Sequence, residues 1–180
     1  VNDRALFLDR DGIINEDFDY VYKIEDFQFK SEIFELCRIA NQKGYLIFVI
    51  TNQAGIARGF YSERDFLRLT NWMISEFEKQ NCKIKRVYYS PYHPDVGDQK
   101  YKRNSSFRKP NPGMILKAQK RYSIDLTNSV LVGDQNTDVE AGVAAGIQKN
   151  FLLFNENKKN LTPHLKAICV NNLGEVIPFL

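Results

Sequence analysis

The sequence predicts an α/β fold, with a central parallel sheet covered by helices on both faces. Three observations carry this. Short runs that are apolar at every position alternate with amphipathic helical periods. Strands of that kind are buried on both faces, as in a parallel sheet sandwiched between helices. Polar residues follow directly on the apolar runs at Asp9, Thr51 and Asp134. The polar site of such a sheet lies beyond the carboxyl ends of its strands, so these three groups fall on one rim.

The elements follow in order. Ala5 to Leu8 is an apolar run of strand type. Residues 31–43 place Ile33, Leu36, Cys37 and Ala40 at helical spacing, and Gly44 stops that helix as a C′ glycine would. Residues 45–50 form a second strand. Ser62 reads as an N-cap with an acid three residues on at Asp65, and the helix behind it buries Phe66, Leu69, Trp72, Met73 and Phe77. Residues 84–89 form a third strand. Asn111 is expected to cap a helix that opens with Pro112 at its first position. A strand at 129–132 ends in Gly133-Asp134, followed by a short helix at 138–145 and a strand at 151–154. The tail, 167–180, reads as a strand and then a short helix. Two stretches break the alternation. Residues 17–29 are aromatic and acidic, and suggest a hairpin or flap. Residues 90–109 form a long polar loop containing His93, of a length usually functional or mobile.

The 180 residues suit one domain, 1–180, able to bury a core without disulfide staples. An apolar fraction of 43% and a charged fraction of 26% exclude a disordered, collagen-like or disulfide-dense chain. The net charge of +3 permits a phosphorylated small molecule and is not the footprint of a non-specific nucleic-acid binder. No apolar run approaches the roughly 20 residues needed to span a bilayer. The start of the chain lacks the basic and long apolar regions of a secretory signal. Cys37, Cys82 and Cys169 are far apart and form no CxxC pair, which suggests free thiols in a reducing compartment. A cytoplasmic monomer with no membrane or nucleic-acid partner is therefore expected.

Chemistry concentrates after the strands. In Asp9-Arg10-Asp11-Gly12, two carboxylates at i and i+2 point to the same side of an extended chain and repel. A Mg²⁺ ion would relieve the repulsion, and the pair suits phosphoryl transfer: one carboxylate attacks phosphorus and the other protonates the leaving oxygen. The same composition also suits a plain turn. Thr51-Asn52-Gln53 offers a hydroxyl and backbone N–H groups for phosphate oxygens, or simply a polar loop. Arg58, between Gly55 and Gly59, offers a planar fork for a phosphate or sugar hydroxyls. Arg108 and Lys109 could neutralise a transferring phosphoryl group, or belong to a solvated basic surface. A carboxylate in the 133–138 segment could complete a Mg²⁺ site with Asp9, while Asp138 equally suits a helix N-terminus.

The segments LFLDRDGIIN, ITNQAGIARGFY, FRKPNPGM and LVGDQNTDVEAGVAAG resemble, in order and spacing, the motifs of the haloacid dehalogenase (HAD) superfamily. They resemble in particular its D-glycero-D-manno-heptose 1,7-bisphosphate phosphatases, with the related histidinol-phosphate phosphatases. The match runs from about Arg4 to Phe154. The resemblance implies a Rossmann-like three-layer sandwich, HAD-like, with no large cap domain. It implies that Asp9 is the nucleophile forming an aspartyl-phosphate and that Asp11 is the general acid, then the base. It places Mg²⁺ on the Asp9 carboxylate, the Asp11 backbone carbonyl and Asp134. Thr51 and Lys109 would hold the phosphoryl group and Arg108 would recognise substrate. Asp17 and Tyr20, in the segment 17–20, and Asn52 and Gln53, in the segment 51–54, would contact it as well. The implied reaction removes the C7 phosphate and yields heptose 1-phosphate for nucleotide-heptose and surface polysaccharide synthesis, including lipopolysaccharide. The small-molecule partner is thus a sugar phosphate.

Three other readings share these residues. A histidinol phosphatase uses the same mechanism. A nucleic-acid 3′-phosphatase is disfavoured by the weak charge and the lack of an aromatic, basic strand-binding stretch. A silent binding protein would not need every residue to which a chemical step is assigned. The sequence departs from the resemblance at two points. Where close relatives carry zinc ligands, this chain has Ser90, Tyr92, Ser105 and Phe107, so no zinc is expected and His93 is expected to be a loop residue. Gln135 stands where many heptose phosphatases have a cation, which weakens one substrate contact.

Overall fold

Leu6 and Leu8 pack into one hydrophobic layer and Ala5 and Phe7 into another, and all four are fully buried. That two-sided burial is the reason Ala5–Leu8 forms the central strand β1. The computed structural model describes residues 3–154 and 162–180. Strands β2 (Leu46–Asn52), β3 (Ile84–Ser90), β4 (Val130–Gly133), β5 (Lys149–Leu153) and β6 (Ala167–Val170) join β1 in one sheet. Every pairing is parallel, in the order β3-β2-β1-β4-β5-β6. In register, β1 sets Leu6 against Ile47 of β2 on one side and Val130 of β4 on the other.

Helices α1 (Ile33–Gln42) and α3 (Glu63–Lys79) cover one face, with the 3-10 turn Leu173–Phe179. They bury Leu36, Met73, Phe77 and Val176 against the sheet. Helices α4 (Gly113–Tyr122) and α5 (Asn136–Ala145) cover the other face through Met114, Ile115, Ala118 and Ala141. The three-layer α/β sandwich read from the sequence is the fold. Among the described residues no helix is long and apolar enough to cross a membrane, and the three cysteines are free.

The local signals mostly hold. Ser62 caps α3 reciprocally: its hydroxyl accepts from the Asp65 N–H at 3.2 Å and Asp65 accepts from the Ser62 N–H at 2.9 Å. The start of α4 needs a correction. Pro112 is the N-cap residue rather than the first helical one, and Asn111 caps nothing. Its side-chain amide donates instead to the Ser105 carbonyl at 3.0 Å, tying the preceding loop. Helix α5 begins two residues earlier than periodicity indicates, because the Asp138 carboxylate gathers the N–H groups of Asp134 and Gln135 into its first turn. Strand β2 runs on through Thr51 and Asn52, which pair with Tyr89 and Ser90. A one-turn helix α2, Ala54–Ala57, follows it.

Residues 17–29 form a loop pinned at its base rather than a two-stranded hairpin. Glu16 N–H donates to Gln28 at 2.8 Å and Lys30 N–H to Ile14 at 2.9 Å. A 3-10 turn spans Ile24–Asp26, and Asp19 and Tyr20 both take positive φ at the tip. Two successive non-glycine residues there store strain of the kind found around ligand sites.

Candidate active site

The strand order grows outward from β1 to β3 and then from β4 to β6. A crevice therefore opens between the carboxyl ends of β1 and β4. Asp9 follows β1 and Asp134 follows β4, and the Asp9 N–H donates to the Val132 carbonyl at 3.0 Å. Lys109 enters between them from the loop before α4. Its Nζ lies 2.8 Å from Asp9 Oδ1 and 2.6 Å from Asp138 Oδ1, and it donates to the Ile50 carbonyl at 2.9 Å. Asn52 fixes the Lys109 backbone with two 3.0 Å bonds, one to its N–H and one to its carbonyl. All four charged side chains are nearly inaccessible to water.

Asp9, Asp134 and Asp138 each offer a carboxylate oxygen, all within 4.8 Å of one another. Burial pushes the Asp9 carboxyl well above the ordinary aspartate range; Lys109 pulls it back, and Asp138 and Asp134 push it further up. Burial alone would lower Lys109, but the Coulombic pull of Asp138 and Asp9 outweighs it and holds the lysine above its ordinary value. Among the described residues, Lys109 pairs with two of these three carboxylates, Asp9 and Asp138. Hard carboxylate oxygens at this spacing suit a small divalent cation such as Mg²⁺. Asp138 already commits Oδ1 to Lys109 and Oδ2 to two backbone N–H groups.

Asp11 is held differently. Arg10, 1% exposed, grips it from Nε at 3.1 Å and from Nη2 at 2.7 and 2.9 Å, and Nη2 also reaches the Val21 carbonyl at 2.6 Å. Asn15 donates to Asp11 Oδ1 at 3.1 Å, and Gln53 to Oδ2 at 3.0 Å. Gln53 also donates to Thr51 Oγ1 at 2.8 Å and accepts from the Tyr61 hydroxyl at 2.5 Å. These contacts fix the Asp11 carboxylate to one orientation. Gly12 has φ +90°, and a Cβ there would run into the Asp134 carboxylate. Gly12→Ala is expected to displace Asp134 and to strain the turn by about 1–3 kcal/mol. The check is a thermal melt beside a phosphatase assay. A variant with full activity would show that Asp134 tolerates the shift.

A cavity of about 150 Å³ is lined by Asp9, Asp11, Asp17, Asn52, Lys109, Asp134 and Gln135, with Thr137 and Asp138. Seven of the residues expected in the site are thus brought together. Thr51 and Gln53 lie beneath it, each 1% exposed, so Gln53 faces Asp11 rather than open solvent. Tyr20 lies in a neighbouring hollow formed by the 18–28 loop, with its ring edge-on to Phe60 at 4.7 Å. Arg58 is exposed beside the 90–109 loop. Arg108 is half-buried and donates to the Tyr92 carbonyl at 3.1 Å. Burial and then Arg58 hold the Arg108 guanidinium below its ordinary value. Burial, then Arg108 and Arg58, lower His93 in the same way. Among the described residues no carboxylate forms an ion pair with either arginine.

Sequence reasoning missed Arg10 and Asn15, and left Asp138 open between a helix acid and a metal ligand. An arginine flanked by two aspartates reads as a charged turn, and only the fold shows it to be buried. Asp138 had one signal, its position four residues after Asp134 across a strand-to-helix turn. The four positions of the zinc departure carry other contacts. The Ser90 carbonyl accepts from Gln53 N–H at 2.8 Å. The Tyr92 ring lies 3.8 Å from the Arg103 guanidinium, and Ser105 Oγ accepts from Phe107 N–H at 3.1 Å. His93 is a half-buried loop residue.

Residues 106–176 match the HAD-hydrolase-like family model, and that stretch carries Lys109, Asp134 and Asp138. An aspartate at the end of the central strand faces a buried lysine across a crevice, and the family match with the relatives that follow makes the chain a phosphoric monoester hydrolase of the HAD-like class. It is 49% identical over its full length to a D-glycero-alpha-D-manno-heptose-1,7-bisphosphate 7-phosphatase of Burkholderia mallei, covering 95% of that protein. It is 44% identical over 149 residues to a D-glycero-beta-D-manno-heptose-1,7-bisphosphate 7-phosphatase of Vibrio cholerae, covering 83% of this chain and 80% of that protein. The chain belongs to the heptose-1,7-bisphosphate 7-phosphatase family. In fold it also matches a D,D-heptose 1,7-bisphosphate phosphatase of B. bronchiseptica, a crystal structure with magnesium and phosphate. The TM-score is 0.84 at 24% identity, covering 97% of this chain and 96% of that one.

Proposed function

We propose that residues 1–180 form a single-domain, Mg²⁺-dependent phosphatase that removes the C7 phosphate of D-glycero-D-manno-heptose 1,7-bisphosphate. The observation that carries this reading is the full-length 49% identity to a named heptose-bisphosphate phosphatase. The paired Asp9–Lys109–Asp138 charges and the clamped Asp11 support it. An Asp9 carboxylate oxygen attacks phosphorus in line, and Asp11 gives its proton to the departing sugar oxygen. Asp11 then takes a proton from water, which attacks the aspartyl-phosphate and releases inorganic phosphate with Asp9 restored. Lys109, with Thr51, holds the phosphoryl oxygens as charge spreads over them.

Asp9, Asp134 and the Asp11 backbone carbonyl would hold Mg²⁺, which supplies positive charge against the phosphoryl oxygens. Asp138 serves instead to hold Lys109 and the start of α5. At about 100 times its Kd, Mg²⁺ is expected to raise the Tm by about 5–10 °C, and Asp134→Asn to remove most of that shift. Full turnover in excess chelator would sink the metal assignment.

The phosphoryl group would sit in the cavity of about 150 Å³ against Asp9 and Lys109, with the sugar toward Asp17 and Gln135 and the neighbouring Tyr20. The neighbouring guanidiniums of Arg58 and Arg108 suit the second phosphate, which is not cleaved. The higher identity to the relative named for the alpha heptose bisphosphate favours the alpha anomer. The enzyme would act in the cytoplasm, in heptose supply for surface polysaccharide. The test is phosphate release from both anomers, from histidinol phosphate and from an aryl phosphate. The preferred heptose bisphosphate is expected to lead by about a hundredfold in kcat/KM, or about 2.7 kcal/mol. Equal turnover of all four would leave a phosphatase without this substrate.

A further inference from the structure

We propose that Glu63, in the first turn of α3, is a positioning residue for substrate recognition, anchoring the 91–108 loop so that Arg108 is held toward the sugar phosphate. The proposal rests on the substrate reading above. Glu63 Oε2 accepts from the Tyr89 hydroxyl of β3 at 2.6 Å, and Oε1 accepts from the Tyr101 hydroxyl of the loop at 2.7 Å. Lys100 adds a 3.2 Å contact to Oε1 but is 68% exposed, so the two tyrosines carry the anchor. The Tyr89 hydroxyl, and next the Tyr101 hydroxyl, hold the Glu63 carboxyl below the ordinary glutamate range, so it accepts as a carboxylate at neutral pH.

From Tyr101 the contacts lead on to Arg108. The Tyr101 carbonyl accepts from His93 N–H at 3.1 Å, and the His93 carbonyl accepts from Arg103 N–H at 3.0 Å. The Arg103 guanidinium lies over the Tyr92 ring at 3.8 Å, and the Tyr92 carbonyl accepts from Arg108 at 3.1 Å. This polar fabric spans the loop in which Tyr92, Ser105 and Phe107, with Ser90 at the end of β3, offer no metal-binding set. Lys109, the next residue, is fixed separately by Asn52. Loosening the loop at Glu63 therefore reaches Arg108 and spares Lys109.

The test compares Glu63→Ala and Glu63→Gln with the unmodified protein on the heptose bisphosphate and on an aryl phosphate lacking a second phosphate. Glu63→Ala is expected to raise KM for the bisphosphate about tenfold, the loss of one charged hydrogen-bonded anchor, with kcat and aryl phosphate turnover unchanged. Glu63→Gln keeps an oxygen for Tyr101 and is expected to recover most of the KM. Hydrogen exchange across residues 91–108, measured without substrate, is expected to quicken in Glu63→Ala. An unchanged KM, or an equal fall on both substrates, overturns the proposal, and so does unchanged exchange. A bisphosphate left intact by the unmodified protein overturns the substrate reading instead. The exchange measurement then decides whether Glu63 orders the loop.

Discussion

Lys109→Met is expected to lose both activity and stability. The lysine is 3% exposed and stands within 2.8 Å of Asp9 and 2.6 Å of Asp138. Methionine keeps much of the volume and removes the positive charge that pairs with Asp9 and Asp138. Asp9 and Asp138 then lose the ammonium that pairs with both of them. Breaking a buried pair from one side costs about 3–5 kcal/mol, or about 10 °C in Tm for a chain of this size. If Lys109 holds the phosphoryl oxygens as proposed, its loss is expected to lower kcat by about 10²–10³. Thermal melts and phosphate release check both parts. A variant that melts with the unmodified protein would show that the acids relax without Lys109.

Asp9→Asn is expected to separate those two effects. An amide is not a nucleophile toward phosphorus, so activity falls to background, by at least about 10⁴ if the residual is set by binding and electrostatics alone. Stability moves the other way. The folded Asp9 carboxyl is raised above its ordinary range by burial first, against the pull of Lys109. A carboxyl with a raised folded value favours folding at low pH. That contribution is lost as pH rises from the ordinary aspartate value through the raised one. Asparagine has no such loss, can still accept from Lys109, and leaves Asp138 as the ionic partner. In chelator at neutral pH the variant is expected to melt at or above the unmodified protein, and the difference should vanish toward pH 4. A fall of several degrees at neutral pH would mean that the Asp9–Lys109 pair outweighs the burial of the third acid.

The sheet was legible because β1, β4 and most of β2 are apolar at every position, and a strand buried on both faces leaves little else to read. Asp9, Asp134 and Lys109 were legible because each follows a strand or precedes a helix at a fixed place in a recognisable segment. The supports were not. Arg10 and Asn15 grip Asp11 from positions that look like a surface turn, and the contact depends on how tightly the 17–29 loop folds over them. Tyr61 reads as one more aromatic, yet its hydroxyl sets the orientation of Gln53. Asn111 misled for the opposite reason. A helix-capping residue type stood before a proline, and a tertiary acceptor on Ser105 claimed its side chain. Glu63 reads as an ordinary first-turn acid; its partners are 26 and 38 residues away.

The central crevice also orders events during synthesis. Asp9 emerges early on the chain, Lys109 well after it, and Asp134 and Asp138 later still, from the strand that pairs with β1 on its other edge and the helix after it. A growing chain that has made β1, β2 and β3 already holds Asp9 and the strand end on which Lys109 will dock. Its ionic framework closes only when β4 has slid in beside β1 and α5 has begun. Until the ribosome has released that last third, the protein carries Asp9 but not the charged setting around it.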